Sequence, residues 1–461
     1  MFATSVISER SVVDVRRRLL VVCNDVIGTQ MAGSAIRCIE IARALFHDFD
    51  VTVTAPRVEG GLDLPFPVLE TDQRHHRQLA DCADVILVQG NALIRHPFLK
   101  RARAALIADL YCPLPLEYHQ SSQGVEIGTR MAAGSYAARV MAEQLAYCDY
   151  FLCASEKQLD FWAGALAMAG RINGLRWPEA SHASLDELLA VIPFGLPDEP
   201  PVPTAPQLRR QFGIPADAFV ALWGGGLYQW FDPLTIIKAV GELAGTDRPV
   251  HLVFIGIKHP NPEIHQHSIV REAIDLAERL GLKDRFVHFN FGWVPFSERQ
   301  SFFLDANVGV SAHFDNPETR FSFRTRMLDY LWCGLPIVTS AGDNFADIVE
   351  HRQLGAVVAC EDVDGWIKAL RNLSNDRTLA DACSRRVAET AANYRWQVVT
   401  EPLRAVVQTL APASDRDFAR SYFHSRRVRP SLLRRVRYIY ETGGLRSVGN
   451  TFRRRIRRFF C

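Results

Sequence analysis

From Arg18 onward, short β-branched apolar runs alternate with longer segments in which apolar residues recur every three to four positions. RLLVVCN, residues 18–24, reads as a strand buried on both faces. After the loop DVIGTQMAGSA, the segment IRCIEIARALF places Ile36, Ile39, Ala42, Leu45 and Phe46 at helical spacing. DVTVTAP, DVILVQG, AALIADL, YFLCAS and LLAVIPFG then repeat the strand signature, separated by helix-like or polar segments. Such a βαβ series predicts a parallel sheet with helices on both faces.

The pattern stops at LPDEPPVPTAPQ, residues 196–207, which is proline-rich, lacks periodicity and reads as an extended linker. It restarts with FVALWGGG and a helix from about Asp232, then HLVFIGI and a helix through Ile274–Leu280, then FVHFNFGW, NVGVSAH, PIVTS and GAVVAC. The expected organisation is an N-terminal extension over 1–17, an α/β doubly wound domain over 18–195, the linker, and a second such domain over 208–395. A closing helix over 396–420, crossing back to the first domain, and a tail over 421–461 complete it. Ligands bind beyond the carboxyl ends of the strands in such sheets. Two of them joined by a linker therefore predict a cleft with one ligand held on each side.

Composition adds limits. The chain has 461 residues, 48% hydrophobic and 23% charged, which is an ordinary globular balance long enough for two cores. Its ten cysteines contain no CxxC pair, so reduced thiols are expected rather than a disulfide framework or a zinc site. The polar start MFATSVISERSVVDVRRR has no signal-peptide core, and no run approaches a spanning helix, so the active part is expected inside the cell. Net charge is only +2, yet residues 421–461 hold twelve arginines against one acid, Glu441. That tail calls for an anionic partner. Its interleaving of Arg with Leu, Ile, Tyr and Phe fits a membrane-surface segment, or else a disordered basic extension. No recognised module supports nucleic-acid binding.

Candidate chemistry gathers at expected strand ends. Gly28 and Gly33, between the first strand and helix, allow a ligand close to backbone N–H groups, or simply make a turn. Gly225 and Gly226, within WGGGLYQWFDP, repeat that arrangement, with Asp232 and Pro233 opening a helix as N-cap and first residue. In ETRFSFRTRMLDYLWCGLPIV, Arg320, Arg324 and Arg326 crowd the start of an expected helix, with Arg320 and Arg324 four apart on one face. A helix N-terminus repels cations. A diphosphate gripped by guanidinium groups would compensate them; the alternative is pairing of Arg320 with Glu318 and of Arg326 with Asp329. In the first domain Asp109, Tyr111, Glu117 and His119 follow AALIADL, and His313 ends NVGVSAH in the second.

Taken in order, MAGSAIRCIEIARAL, DYFLCASEKQLDFW, VIPFGLP, GGGLYQWFDPLT, FGWVPF, ETRFSFRTRMLDYLWCGLPIVTS and GDNFADIVE resemble a GT-B glycosyltransferase of the retaining family 4 kind, also called group 1, over roughly residues 18–411. The resemblance implies two Rossmann-like domains, a nucleotide-sugar donor held mainly by the second, and a glycan or lipid-linked acceptor held mainly by the first. Its Glu-x7-Glu segment puts the ribose-binding acid on Asp329 and the first acid on Phe321, so Glu318 is taken as the substitute near the donor sugar. The family's phosphate-binding Gly-Leu pair falls on Arg324 and Thr325, and its base-binding loop on Trp293 and Val294. Its diphosphate-binding Arg and Lys fall on Gly226 and Phe231. The three arginines are the expected replacement for that lost charge. Asp109 stands where many relatives carry a catalytic histidine, and Asp109, His313 and Glu318 are the catalytic candidates, with Tyr111, Glu117 and His119 on the acceptor side. No DxD metal motif is evident in a suitable loop, so no metal is expected. The implied activity is sugar transfer with retention, in surface polysaccharide or glycolipid synthesis, by a cytoplasmic protein with its tail on the inner face of the membrane. The competing reading is a catalytically silent scaffold of the same fold.

Overall fold

The computed structural model describes residues 16–425 apart from 30, 180–183, 203–206, 258–266, 293 and 295–297. Most of the N-terminal extension, the tail beyond 425 and the candidate Trp293 lie outside the described residues.

The apolar runs become two parallel sheets. The first contains β1 (Arg18–Val22), β2 (Asp50–Ala55), β3 (Val68–Glu70), β4 (Val85–Gln89), β5 (Ala105–Asp109), β6 (Tyr150–Cys153) and β7 (Leu189–Val191), in the order β3-β2-β1-β4-β5-β6-β7. The second contains β8 (Phe219–Gly226), β9 (Val250–Gly256), β10 (Val287–Phe289), β11 (Val308–Ser311), β12 (Ile337–Ser340) and β13 (Gly355–Val358), in the order β10-β9-β8-β11-β12-β13. β1 pairs in parallel with both β2 and β4, and β8 with both β9 and β11. At each of those strands the winding reverses, which opens a crevice at the carboxyl edge.

Helices cover both faces. Gly33–Leu45 buries Ala35, Cys38, Ile39, Ile41 and Ala42 against the first sheet. Pro233–Leu243 starts as its sequence dictates: Asp232 accepts from Thr235 N–H at 3.0 Å, and Pro233 stands where no N–H is needed. That cap contributes about 1 kcal/mol. One apolar core runs through both domains by way of Phe194, Leu196, Trp396 and Leu403.

Two expectations need correction. The helix drawn over the arginine stretch is two short helices, Pro317–Phe321 and Arg326–Trp332, with Ser322 extended between them. Arg320 and Arg324 therefore do not share a helical face. The chain leaves helical geometry so that Phe323 can stack on Phe194 (5.8 Å, 17°) and meet Phe345 edge-on. Among the described residues beyond 395 there is not one helix but three: Trp396–Val399, Glu401–Thr409 and Arg416–Ser425. They lie against the first domain. Arg404 bonds Asp48 at 2.7 Å, and the buried Arg171 makes a two-pronged pair with Asp415 at 2.9 and 3.0 Å.

Candidate functional site

A cavity of about 250 Å³ opens between the domains. Met31, Ala32, Gly33, Ile36 and Glu40 form its first-domain wall, at the start of the Gly33–Leu45 helix. The chain crossings contribute Phe194 to Pro197 and Trp396. The second domain presents Gly225, Tyr228, Gly256, Val294, Arg299, Thr325, Leu328 and Asp329.

The second-domain wall is bare backbone for a steric reason. A Cβ on Gly224 would stand 2.7 Å from the Phe303 ring, and one on Gly256 would stand 3.0 Å from the backbone of Gly225. Gly225 has φ +99, which favours glycine. The helix Arg326–Trp332 is held over these strand ends by Tyr330. Its hydroxyl accepts from Gly224 N–H at 2.9 Å and lies 2.8 and 3.0 Å from the Val310 and Leu222 carbonyls. That fixes Asp329, the residue before Tyr330, at the cavity edge. Arg299 Nε donates to one Asp329 oxygen at 2.7 Å. A carboxylate has lone pairs beyond that bond, and Asp329 retains 24% side-chain exposure with which to use them.

The arginines divide into three roles. Arg320 is exposed, its guanidinium over the Phe321 ring. Arg324 is 5% exposed and grips Glu318 at both oxygens, 2.9 and 2.8 Å. Arg326 donates to the Gly226 carbonyl at 2.7 Å and lies over the rings of Phe231 and Trp223 at 4.0 and 4.6 Å. Among the described residues Arg326 forms no ion pair, and its Nη1 is buried without a hydrogen-bond partner. Burial lowers its pKa to about 10, with Arg324 adding repulsion. The expectation that all three arginines replace the lost cations is therefore corrected. Arg320 faces solvent and Arg324 is already neutralised. Only Arg326 touches both Gly226 and Phe231, the two positions where the lost cations would stand.

Glu318, expected beside a donor sugar, is 1% exposed with both oxygens occupied by Arg324, so it holds that arginine instead. His313 is fully buried. Its Nε2 meets the Ala341 carbonyl at 3.1 Å, and burial pushes its pKa down to about 3, so it is a neutral core histidine rather than a cleft base. Glu117 is raised to about 7 by burial, against an opposing bond from Cys112. It stands at a seam between the domains. There Gln158 donates to the carbonyls of Tyr111 and Phe321 at 2.8 Å each, and Lys157 donates to the carbonyls of Gly342 and Asp343 at 3.1 and 2.9 Å.

In the first domain Asp109 is corrected most firmly. Arg37 donates to both of its oxygens, at 2.7 and 3.0 Å, and both side chains are fully buried. The same guanidinium bonds the carbonyls of Ile192 and Pro193. Asp109 ties β5 to the Gly33–Leu45 helix and the end of β7, and reaches no ligand space. Tyr111 packs on Phe194 and under Arg37, while His119 is exposed. Gly33 lines the cavity, but Gly28 sits against Glu59. The sequence reading missed Arg37 and Arg299. Arg37 had a signal: a charge on the apolar stripe of its helix, between Ala35 and Cys38. Arg299 had none.

Comparison with known proteins bears on the fold and on the second domain. Residues 219–376 match the family model described as glycosyl transferases group 1. D-inositol 3-phosphate glycosyltransferase of Corynebacterium jeikeium is 28% identical over 212 residues, covering 45% of this chain and 48% of that protein. The Corynebacterium diphtheriae protein of the same name is 26% identical over 202 residues. The chain thus spans about half the length of these relatives. Among solved structures, Anabaena Alr3699/HepE with UDP and glucose superposes with a TM-score of 0.62 at 15% identity, over 86% of this chain and all of that one. WaaG, a glycosyltransferase involved in lipopolysaccharide biosynthesis, gives 0.57 at 15% identity, over 84% and 98%. The match to the group 1 glycosyl transferases thus lies in the second domain, and the two Rossmann-like domains together form the GT-B fold.

Proposed function

We propose that the protein transfers a sugar from a nucleotide-sugar donor to a glycan or lipid-linked acceptor, with retention, in surface polysaccharide or glycolipid synthesis at the inner face of the membrane. One observation carries this reading: a buried guanidinium without an ion-pair partner among the described residues, Arg326, stands between Gly226 and Phe231, three residues before the cavity carboxylate Asp329. A buried cation is costly unless an anion meets it. A diphosphate over the glycine strand ends supplies that anion, and Asp329 accepts hydrogen bonds from the ribose hydroxyls.

In the transfer, the bond between the anomeric carbon and the diphosphate breaks and its electron pair leaves on the diphosphate oxygen. Arg326 stabilises that charge as it develops. The acceptor oxygen bonds the anomeric carbon from the same face, and its proton passes to the departing phosphate. The protein's contribution is orientation and charge stabilisation, with a closed cleft keeping water from the donor.

The test is thermal unfolding with UDP, GDP, ADP, CDP and dTDP, beside Asp329→Ala. A ligand at about 100 times its Kd stabilises by about 2.7 kcal/mol. A shift with one nucleotide, lost in the variant, is the expected result and names the base. No shift with any nucleotide overturns the reading and favours a silent scaffold of the same fold.

A further inference from the structure

The helix Arg416–Ser425 seals the back of the first domain yet leaves part of it uncovered. Asp415 and Arg171 pair inside, and Ser414 donates to the Leu175 carbonyl at 2.7 Å. Around that joint, Met168 (72% exposed), Leu175 (54%), Ile172 (46%) and Phe418 (43%) face outward. They form one neighbourhood. A Cβ on Gly170 would touch both Tyr422 and Phe418, at 3.4 and 3.6 Å. Four large apolar side chains exposed together on a small surface mark a contact site.

The site lies far from the cleft. The helix Glu156–Met168 starts at Ser155, beside the carboxyl end of β6, and runs about 20 Å back along the sheet before Met168. Nothing in the proposed transfer uses it. What covers it is indicated by where the chain goes next. The described residues stop within this helix at Ser425, and the 36 residues that follow in sequence hold twelve arginines and one acid, interleaved with Leu, Ile, Tyr and Phe. Among the described residues no helix can cross a membrane.

We propose that Met168, Ile172, Leu175 and Phe418 form a docking face for an anionic lipid surface, inserting at the headgroup level where the basic tail engages the lipid phosphates. One weak signal gives marginal membrane binding, and two together give stable binding. The folded patch also sets orientation: it holds the cleft away from the bilayer plane, so the acceptor's sugar must reach out from the surface to be used. This face rests on the membrane location in the reading above but not on its chemistry: nucleotide-induced shifts test the transfer and vesicle binding tests the face, so the two fail separately.

The test uses the full chain and co-sedimentation with vesicles, either phosphatidylglycerol-rich or of phosphatidylcholine alone. Wild type should bind the anionic vesicles and not the neutral ones. M168S/F418S should bind them about tenfold more weakly, from the apolar area no longer inserted. Its thermal midpoint, measured alongside, establishes that it is folded, and I172S/L175S serves as a second pair should it not be. Patch variants that bind like wild type, while arginine reversal in the tail abolishes binding, overturn the docking face. So does concentration-dependent self-association lost in M168S/F418S, which would make the patch an interface between two copies. Tighter binding to polyuridylate than to vesicles also overturns it.

Discussion

Asp109→Asn separates a structural carboxylate from a catalytic one. The Arg37 guanidinium makes four hydrogen bonds at 2.7–3.0 Å, two to Asp109 and two to the carbonyls of Ile192 and Pro193, and neither ionic side chain has any exposure. Asparagine keeps the shape but removes the charge, and it turns an N–H₂ toward a guanidinium that only donates. An uncompensated buried cation remains, and removing one partner of such a pair costs about 3–5 kcal/mol. At roughly 2–4 °C per kcal/mol for a domain of this size, the midpoint should fall by about 6–20 °C. Unfolding is followed by tryptophan fluorescence, and turnover is measured well below the new midpoint. There the variant should retain most of its transfer rate and its nucleotide-induced shift. Replacing both partners, Arg37→Met with Asp109→Leu, should recover much of the lost stability. If Asp109→Asn melts like wild type yet loses about a hundredfold or more in turnover, as a general base would, then Asp109 acts on substrate and this account of it is wrong.

Arg326→Gln should weaken a nucleoside diphosphate about 10- to 150-fold by calorimetry, the value of a charged hydrogen bond. Its affinity for the unphosphorylated nucleoside should not change, and its ligand-free midpoint should hold or rise because a buried cation with no ion pair among the described residues is gone. Gly309→Ala would place a Cβ 2.4 Å from the Tyr330 ring, and should cost about 1–3 kcal/mol in denaturant unfolding. Burial lowers His76 and His288 to about 4 and His313 to about 3, from an ordinary 6.5. Between those values the unfolded chain binds protons that the folded chain refuses, so stability should fall as pH drops from about 6.5 toward 4. Glu117, raised to about 7, acts in the opposite sense, favouring the fold below its ordinary 4.5 and losing that contribution as pH rises through 7. Glu117→Gln should therefore steepen the acid loss recorded in melts from pH 4 to 7.

Most of the strands were legible because each is a β-branched apolar run between polar segments, buried as a parallel strand must be. β3 was not. It is three residues, VLE, at a sheet edge after two prolines, with no alternation to read. The cap at Asp232 was legible because it is local chemistry. The break at Ser322 was not, since FSFRT contains no glycine or proline. It follows from the need of Phe321 for Phe161 (4.8 Å) and of Phe323 for Phe194, residues far away in sequence. Once the chain breaks there, the partners change. Glu318 takes Arg324 instead of Arg320, and Asp329 takes Arg299 instead of Arg326. The sequence shows which charges are present near the site, but tertiary packing decides which of them remain free to meet a ligand.

The two passages of chain between the domains run side by side. Leu196 N–H donates to the Tyr394 carbonyl at 2.6 Å, Trp396 N–H donates to the Leu196 carbonyl at 3.1 Å, and a Cβ on Gly195 would stand 2.5 Å from the Trp396 ring. Two crossings fastened together act as a door hinge. They leave the domains one easy rotation and resist sliding or twisting. The cavity reaches this axis through Gly195, Leu196, Pro197 and Trp396, while Lys157 and Gln158 clasp the second domain at the carbonyls of Gly342, Asp343 and Phe321. Lys157 and Gln158 already hold the two domains together, so any rotation that opens the cleft about this axis must part those bonds as it widens the cavity.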